Sequence, residues 1–272
     1  MEKIPDKLIK ITKISDKGIS DPIVGRIYFQ FIEMLDTNTI ELKNKSLENF
    51  DNLLFNLMND FLKLEEYVEN YFRIESEAVL EIKKGKVKIE GNSIRYDNPT
   101  PKLKENFEHF LIRSIMILRK LIKIASIIFE TKITGGKELN GYVKKKFGED
   151  DNLVKYVNSN SKWIKELYDD RGKAEHEELD MTDFDIEVCK DRSFIPILPV
   201  LISKNIPIRI YMTKKYTLLF NYIETMIAFL LNQKVKFPLR IVYIKEEERK
   251  KYNNFKYMLN IDMSKIKSSN KK

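Results

Sequence analysis

A mainly α-helical fold, a bundle carrying small β-hairpin and strand elaborations, is predicted by three observations. Apolar residues recur at three- and four-residue spacing over long stretches, most of all in residues 103–131. Runs rich in β-branched residues are short and broken by prolines. The 272 residues are 43% hydrophobic and 33% charged, enough apolar material for a buried core.

Each element can be justified in order. Residues 1–20 are polar and charged, with Pro5 and Gly18, and are expected to form an irregular arm or short strand. Asp21-Pro22 is a good helix start, and Ile23, Ile27, Phe31 and Met34 follow at helical spacing over 21–36. A longer helix should begin near Ser46, since Phe50, Leu54, Leu57, Phe61, Leu64, Val68 and Phe72 form a sustained stripe. After Ser76 the spacing changes. Leu80, Ile82, Val87, Ile89, Ile94 and Tyr96 sit two apart in pairs, separated by Lys84-Gly85 and Gly91-Asn92, which predicts a small meander or hairpin. Residues 97–101, with Pro99 and Pro101, read as a linker.

The helix over 103–131 is apolar nearly all round in its second half, so it belongs at the centre of a bundle. A short helix over 137–147 carries Lys144, Lys145 and Lys146 and is ended by Gly148. A further helical stretch runs from about residue 151 to 178, with a candidate interruption at Asn158-Ser159-Asn160. Residues 184–188, 195–202 and 206–212 read as short strands, with Pro196, Pro199 and Pro207 favouring edge positions. Residues 213–233 form a last core helix, 237–244 another strand, and the end from Ser264 a polar tail. Three units follow: 1–100, an N-terminal helical segment plus β-hairpin packed on the core; 101–245, a helical domain with inserted strands; and 246–272, a charged C-terminal segment and tail.

Composition excludes several kinds of chemistry. Cys189 is the single cysteine, so no intrachain disulfide can form. With only His109 and His176 beside it, a Cys- and His-rich structural zinc site cannot be assembled in one chain. Counting does not exclude a carboxylate-rich Mg²⁺ or Ca²⁺ site. No EF-hand loop, Walker loop, dinucleotide glycine pattern or nucleophile elbow is present. No cofactor and no metal are expected. The first twenty residues carry five lysines and no apolar stretch of signal-peptide length. The longest apolar run, 194–202, holds two prolines and is half a membrane span. A cytoplasmic protein without a membrane partner is expected. Lys and Arg total 49 against 41 Asp and Glu, a net +8. The charge is uneven: residues 141–180 hold eight basic and ten acidic side chains, whereas 189–272 hold 18 and 6. Were RNA to bind, the basic third would be its platform, with Tyr211, Tyr216, Tyr243 and Tyr252 as candidate stacking groups.

One short motif carries chemistry. Residues 167–179 read Leu-Tyr-Asp-Asp-Arg-Gly-Lys-Ala-Glu-His-Glu-Glu-Leu, with four residues between Arg171 and His176. This pattern near the end of a long helix, with the aromatic and acidic approach from Trp163 to Asp170 and the apolar helix over 103–131, resembles the HEPN superfamily (higher eukaryotes and prokaryotes nucleotide-binding). The chain is most similar to its stand-alone prokaryotic Cthe-type members, over roughly residues 100–235. An abundance of Lys, Asn and Ile fits an AT-rich prokaryotic source.

The resemblance implies a HEPN-like helical bundle and a metal-independent ribonuclease acting as a homodimer, in prokaryotic defence or a toxin system with an antitoxin or defence partner. Arg171 would hold the scissile phosphate and His176 would act as general base or acid on the 2′-hydroxyl. Asp170, Glu175 and Tyr168 would support the motif, and Lys144, Lys145 and Lys146 would contact RNA. A second reading is a catalytically inactive RNA- or nucleotide-binding module, or a protein-interaction module, with the same fold. Gly172 stands where the family often has a polar residue, and the motif's surround is acidic. On an ideal helix Arg171 and His176 lie about 140° apart and about 7.5 Å apart along the axis. Glu175, one turn from Arg171, is its natural ion partner.

Overall fold

The computed structural model describes residues 16–35, 39–91, 93–176 and 179–262. The arm over 1–15 and the tail from Ser264 lie outside them. The architecture is mainly α-helical, with four separate two-stranded antiparallel sheets among the described residues.

A π-helical turn, Val24–Phe29, runs into α1 (Gln30–Leu35). Gly25 in this turn lies so close to the preceding loop that a Cβ would sit 2.4 Å from the Ile19 carbonyl oxygen. The long helix α2 (Asn44–Lys83) follows, then β1 (Lys88–Glu90) and β2 (Ser93–Arg95), which pair through Ile89 and Ile94. Helix α3 (Thr100–Phe129) touches α2, α6, α5 and α4. Helices α4 (Gly136–Phe147) and α5 (Asn152–Glu175) pack beside it, and the Asp151 side chain caps α5 by accepting the Leu153 N–H at 2.8 Å. Then come β3 (Asp185–Val188), β4 (Phe194–Ile197), β5 (Val200–Leu201), a 3₁₀ turn at Ile202–Lys204, and β6 (Ile206–Pro207). Helix α6 (Ile208–Asn232) closes the bundle, and β7 (Leu239–Tyr243) pairs with β8 (Tyr257–Ile261) across a 3₁₀ segment, Glu246–Tyr252.

One hydrophobic cluster runs from Ile23 to Leu231. Most residues of the predicted stripes are fully buried: Phe50, Leu54, Leu57, Phe61 and Leu64 of α2, and Phe107, Phe110, Leu111 and Ile124 of α3; Leu53, Val68 and Phe72 are half-buried. The second half of α3 is enclosed because Ile117, Ile124 and Ile128 are buried along with the principal stripe.

Several boundaries differ from the sequence reading. Leu80 and Ile82 belong to α2, not to a strand. Ile82 is buried and Leu80 exposed, as two positions 200° apart on a helix should be. The linker over 97–101 is partly the start of α3, where Asn98 Oδ1 accepts the Thr100 N–H at 2.9 Å and Pro101 fills the first turn. The Asn158-Ser159-Asn160 segment does not interrupt α5. Asn160 Nδ2 and Ser159 Oγ bond back to the Tyr156 carbonyl, so these side chains are satisfied within the helix. Residues 208–212 are the first turn of α6 rather than strand, with Pro207 immediately before the helix. Strand β8, within the supposed charged tail, pairs with β7 over five residues.

Candidate functional site

The motif sits at the C-terminal end of α5. Asp151 starts this helix, and buried Leu153, Val154, Val157 and Leu167 hold it against the core. The helix stops at Glu175, and His176 is its exposed C-cap, its N–H directed to the Gly172 and Lys173 carbonyls at 3.3 and 3.2 Å. Residues 177 and 178, included in the predicted helix, lie outside the described residues.

Arg171 is partly buried. Its guanidinium pairs with the Glu175 carboxylate, while its buried Nε makes no hydrogen bond among the described residues. Gly172 faces open space, since a Cβ there would meet nothing within 4 Å. Tyr168 is 38% exposed, and burial of its ring raises its hydroxyl pKa, opposed by the positive charges of Arg119 and Arg171.

Asp170 points the other way. It is 5% exposed, and its Oδ2 accepts from Lys204 Nζ and from the Tyr211 hydroxyl. Burial, followed by the Asp170 charge and hydrogen bond, pushes the Tyr211 hydroxyl far up, so it stays a donor. One turn earlier, Glu166 accepts from Lys215 Nζ at 2.8 Å, and that bond and the Lys215 charge hold its carboxyl below the usual range. The two bridges fasten α5 to α6 and to the 3₁₀ turn before it. The sequence reading missed Lys204 and Lys215 as partners of the motif helix, because 34 and 49 positions separate them from Asp170 and Glu166.

The other named residues are scattered. Lys144 pairs with Glu149 at 2.6 Å. Lys146 lies over the Phe129, Tyr142 and Phe147 rings, at 4.9 Å from the first. Lys145 is exposed and forms no ion pair among the described residues. Of the four stacking candidates, Tyr211 is 2% exposed and Tyr216 packs on Phe61 and Phe220, so neither offers a free face. Tyr243 and Tyr252 are exposed, with Arg249 over the Tyr243 ring at 5.0 Å. Trp163 is a packing group, edge-on to Tyr222 with Nε1 donating to Asn160 at 2.7 Å.

Among the described residues no group of three or more His, Cys, Asp and Glu side chains could hold a metal ion, and no helix is long and apolar enough to cross a membrane. No family model, curated protein or solved structure matches the chain. The fold is therefore defined by its own geometry, as a mainly α-helical bundle with small antiparallel strand pairs and a polar motif at one exposed helix end.

Proposed function

We propose that this chain is a HEPN-like, metal-independent endoribonuclease that acts in the cytoplasm as a homodimer, in a defence or toxin-type setting with an antitoxin or defence partner. The reading rests on the resemblance around Arg171 and His176. The observation that carries it is the open end of α5. His176 is exposed there, Gly172 leaves space beside it, and the Arg171 side chain is partly exposed.

In this reading the imidazole of His176 takes the proton from a ribose 2′-hydroxyl, and the resulting oxygen attacks the adjacent phosphorus. Arg171 stabilises the charge that builds on the non-bridging phosphate oxygens. The 5′-oxygen leaves and is protonated by the imidazolium of the second copy. The products are a 2′,3′-cyclic phosphate and a 5′-hydroxyl, and DNA is inert.

A second reading is an RNA-binding or interaction module of the same fold without turnover. The Arg171–Glu175 ion pair favours it, because a guanidinium held by its own helix is not free to stabilise the charge that builds in a transition state. Incubation of mixed single-stranded RNA in EDTA with wild type, Arg171→Ala and His176→Ala separates the two. Cyclic-phosphate ends, formed about 10²-fold or more slowly by His176→Ala, support catalysis. No cleavage by a folded, dimeric wild type supports the module. Cleavage that survives both substitutions sinks the motif argument altogether.

A further inference from the structure

A groove of about 540 Å³ opens between α3, α4 and α5, and buried Tyr222 of α6 also reaches it. Small-molecule sites typically span about 300–1,000 Å³. Its walls are chiefly aliphatic: Leu121 and Ile122 of α3, Leu139 of α4, and Val157 and Ile164 of α5. Its charged lining groups are Lys137, Lys162, Lys165 and Asp169. Lys165 and Asp169 neutralise each other at 3.0 Å. Lys137 and Lys162 form no ion pair among the described residues, and Glu166, whose charge Lys162 feels, is engaged by Lys215. The groove therefore carries two surplus positive charges.

The start of α4 adds to this polarity. Gly136 lines the groove as the first residue of α4, the N-cap Gly135 offers no side-chain bond, and a Cβ at Gly136 would meet nothing within 4 Å. First-turn N–H groups of a helix favour an anion. Glu138, in the same turn, spends its carboxylate on the Thr134 N–H at 2.6 Å and hydroxyl at 2.7 Å. Asn140, also lining the groove, has its amide N–H engaged by Asn158 at 2.9 Å.

We propose that this groove binds a medium-chain aliphatic carboxylate, its chain along the aliphatic walls and its head at Lys137, Lys162 and the start of α4. A nucleobase is a poorer match. The neutral polar lining groups, Asn140, Ser161, Tyr168 and Tyr222, stand among chiefly aliphatic walls, and donors or acceptors of a base left unpaired there are costly to bury. The inference does not depend on ribonuclease activity.

Trp163, the chain's single tryptophan, lies 5.7 Å from Tyr222, so its emission reports on the groove. The test titrates the full chain with decanoate, below its micelle-forming concentration, following heat and Trp163 emission. Saturable 1:1 binding is expected, about tenfold weaker in Lys137→Glu/Lys162→Glu, with decanol binding equal in both proteins. Ile164→Phe, its folding checked by circular dichroism, should weaken both ligands. The proposal is overturned by the absence of saturable binding, by decanoate affinity unchanged in the charge-reversed protein, or by AMP binding where decanoate does not. A wild-type dimer that Ile164→Phe dissociates and decanoate leaves intact would also overturn it, assigning the groove to a second copy.

Discussion

Arg171 and Glu175 form an ion pair one turn apart on the last stretch of α5, so the only guanidinium in the motif is held by its own helix. Both side chains are at least partly exposed, and such a pair contributes little to stability, about 0.3–0.5 kcal/mol. Its consequence is for binding. Glu175→Gln should raise affinity for single-stranded RNA several-fold at low salt and leave the melting temperature nearly unchanged. Fluorescence anisotropy at two salt concentrations checks this. An unchanged affinity would mean that Arg171 does not meet phosphate.

Asp170 was a candidate to support His176, but its carboxylate is committed to Lys204 and Tyr211. Asp170→Asn leaves the Lys204 charge without its carboxylate partner in a partly buried setting. The expected loss is about 3 kcal/mol, read as a lower urea midpoint. A drop in RNA cleavage with no change in that midpoint would instead place Asp170 in the chemistry.

Gly172 lies inside α5 with open space where a Cβ would go. Helical glycine costs roughly 0.5–1 kcal/mol relative to alanine. Gly172→Ala should therefore stabilise the protein by about that amount, as a rise in thermal midpoint. A destabilised variant would show that the helix end departs from α geometry.

Glu75 provides a pH prediction. It is 2% exposed, and burial raises its carboxyl above the ordinary range, with Arg209 3.5 Å away acting in opposition. The native state therefore keeps this proton to higher pH than the unfolded chain. Stability attributable to Glu75 is present below its ordinary pKa of 4.5 and is lost as pH rises through the raised value. Glu75→Gln should raise stability at pH 7 by about 1 kcal/mol, with the gain vanishing below about pH 4.5. Urea unfolding at a series of pH values measures it, and a pH-independent difference would refute the assignment.

Glu224 ties the C-terminal hairpin to the bundle. It is fully buried and accepts from Arg26 Nε at 2.9 Å, while Lys256 lies 3.6 Å away. Gln30 Oε1 accepts the Lys256 and Tyr257 N–H groups at 2.6 and 2.9 Å. Glu224→Gln strands a partly buried arginine and should cost about 3–5 kcal/mol. Loss of hydrogen-exchange protection in β8 before the rest of the chain is the expected signature.

Helices with a wide apolar face could be read from the chain alone. The stripes from Phe50 to Leu64 and from Leu103 to Phe129 repeat over many turns, so periodicity outweighs any local ambiguity. Short apolar pairs could not be read this way. Leu80 and Ile82 have strand spacing, yet they continue α2, because a helix already packed along α3 extends residue by residue at little cost. The run Ile206 to Met212 likewise splits between β6 and α6.

The chain by itself determined the helical class, the single-cysteine and two-histidine limits on metal chemistry, and the Arg171-to-His176 spacing. Tertiary structure alone decided where the charges act. Asp170 and Glu166 are near Arg171 in sequence, but they lie one turn apart on the face of α5 that meets Lys204 and Lys215, while Arg171 and His176 stay at the open end. The same packing left a groove between α3, α4 and α5 with two surplus lysines. Periodicity reports which face of one helix is buried. Which distant side chain meets a buried carboxylate depends on how several helices pack, and no local spacing encodes that.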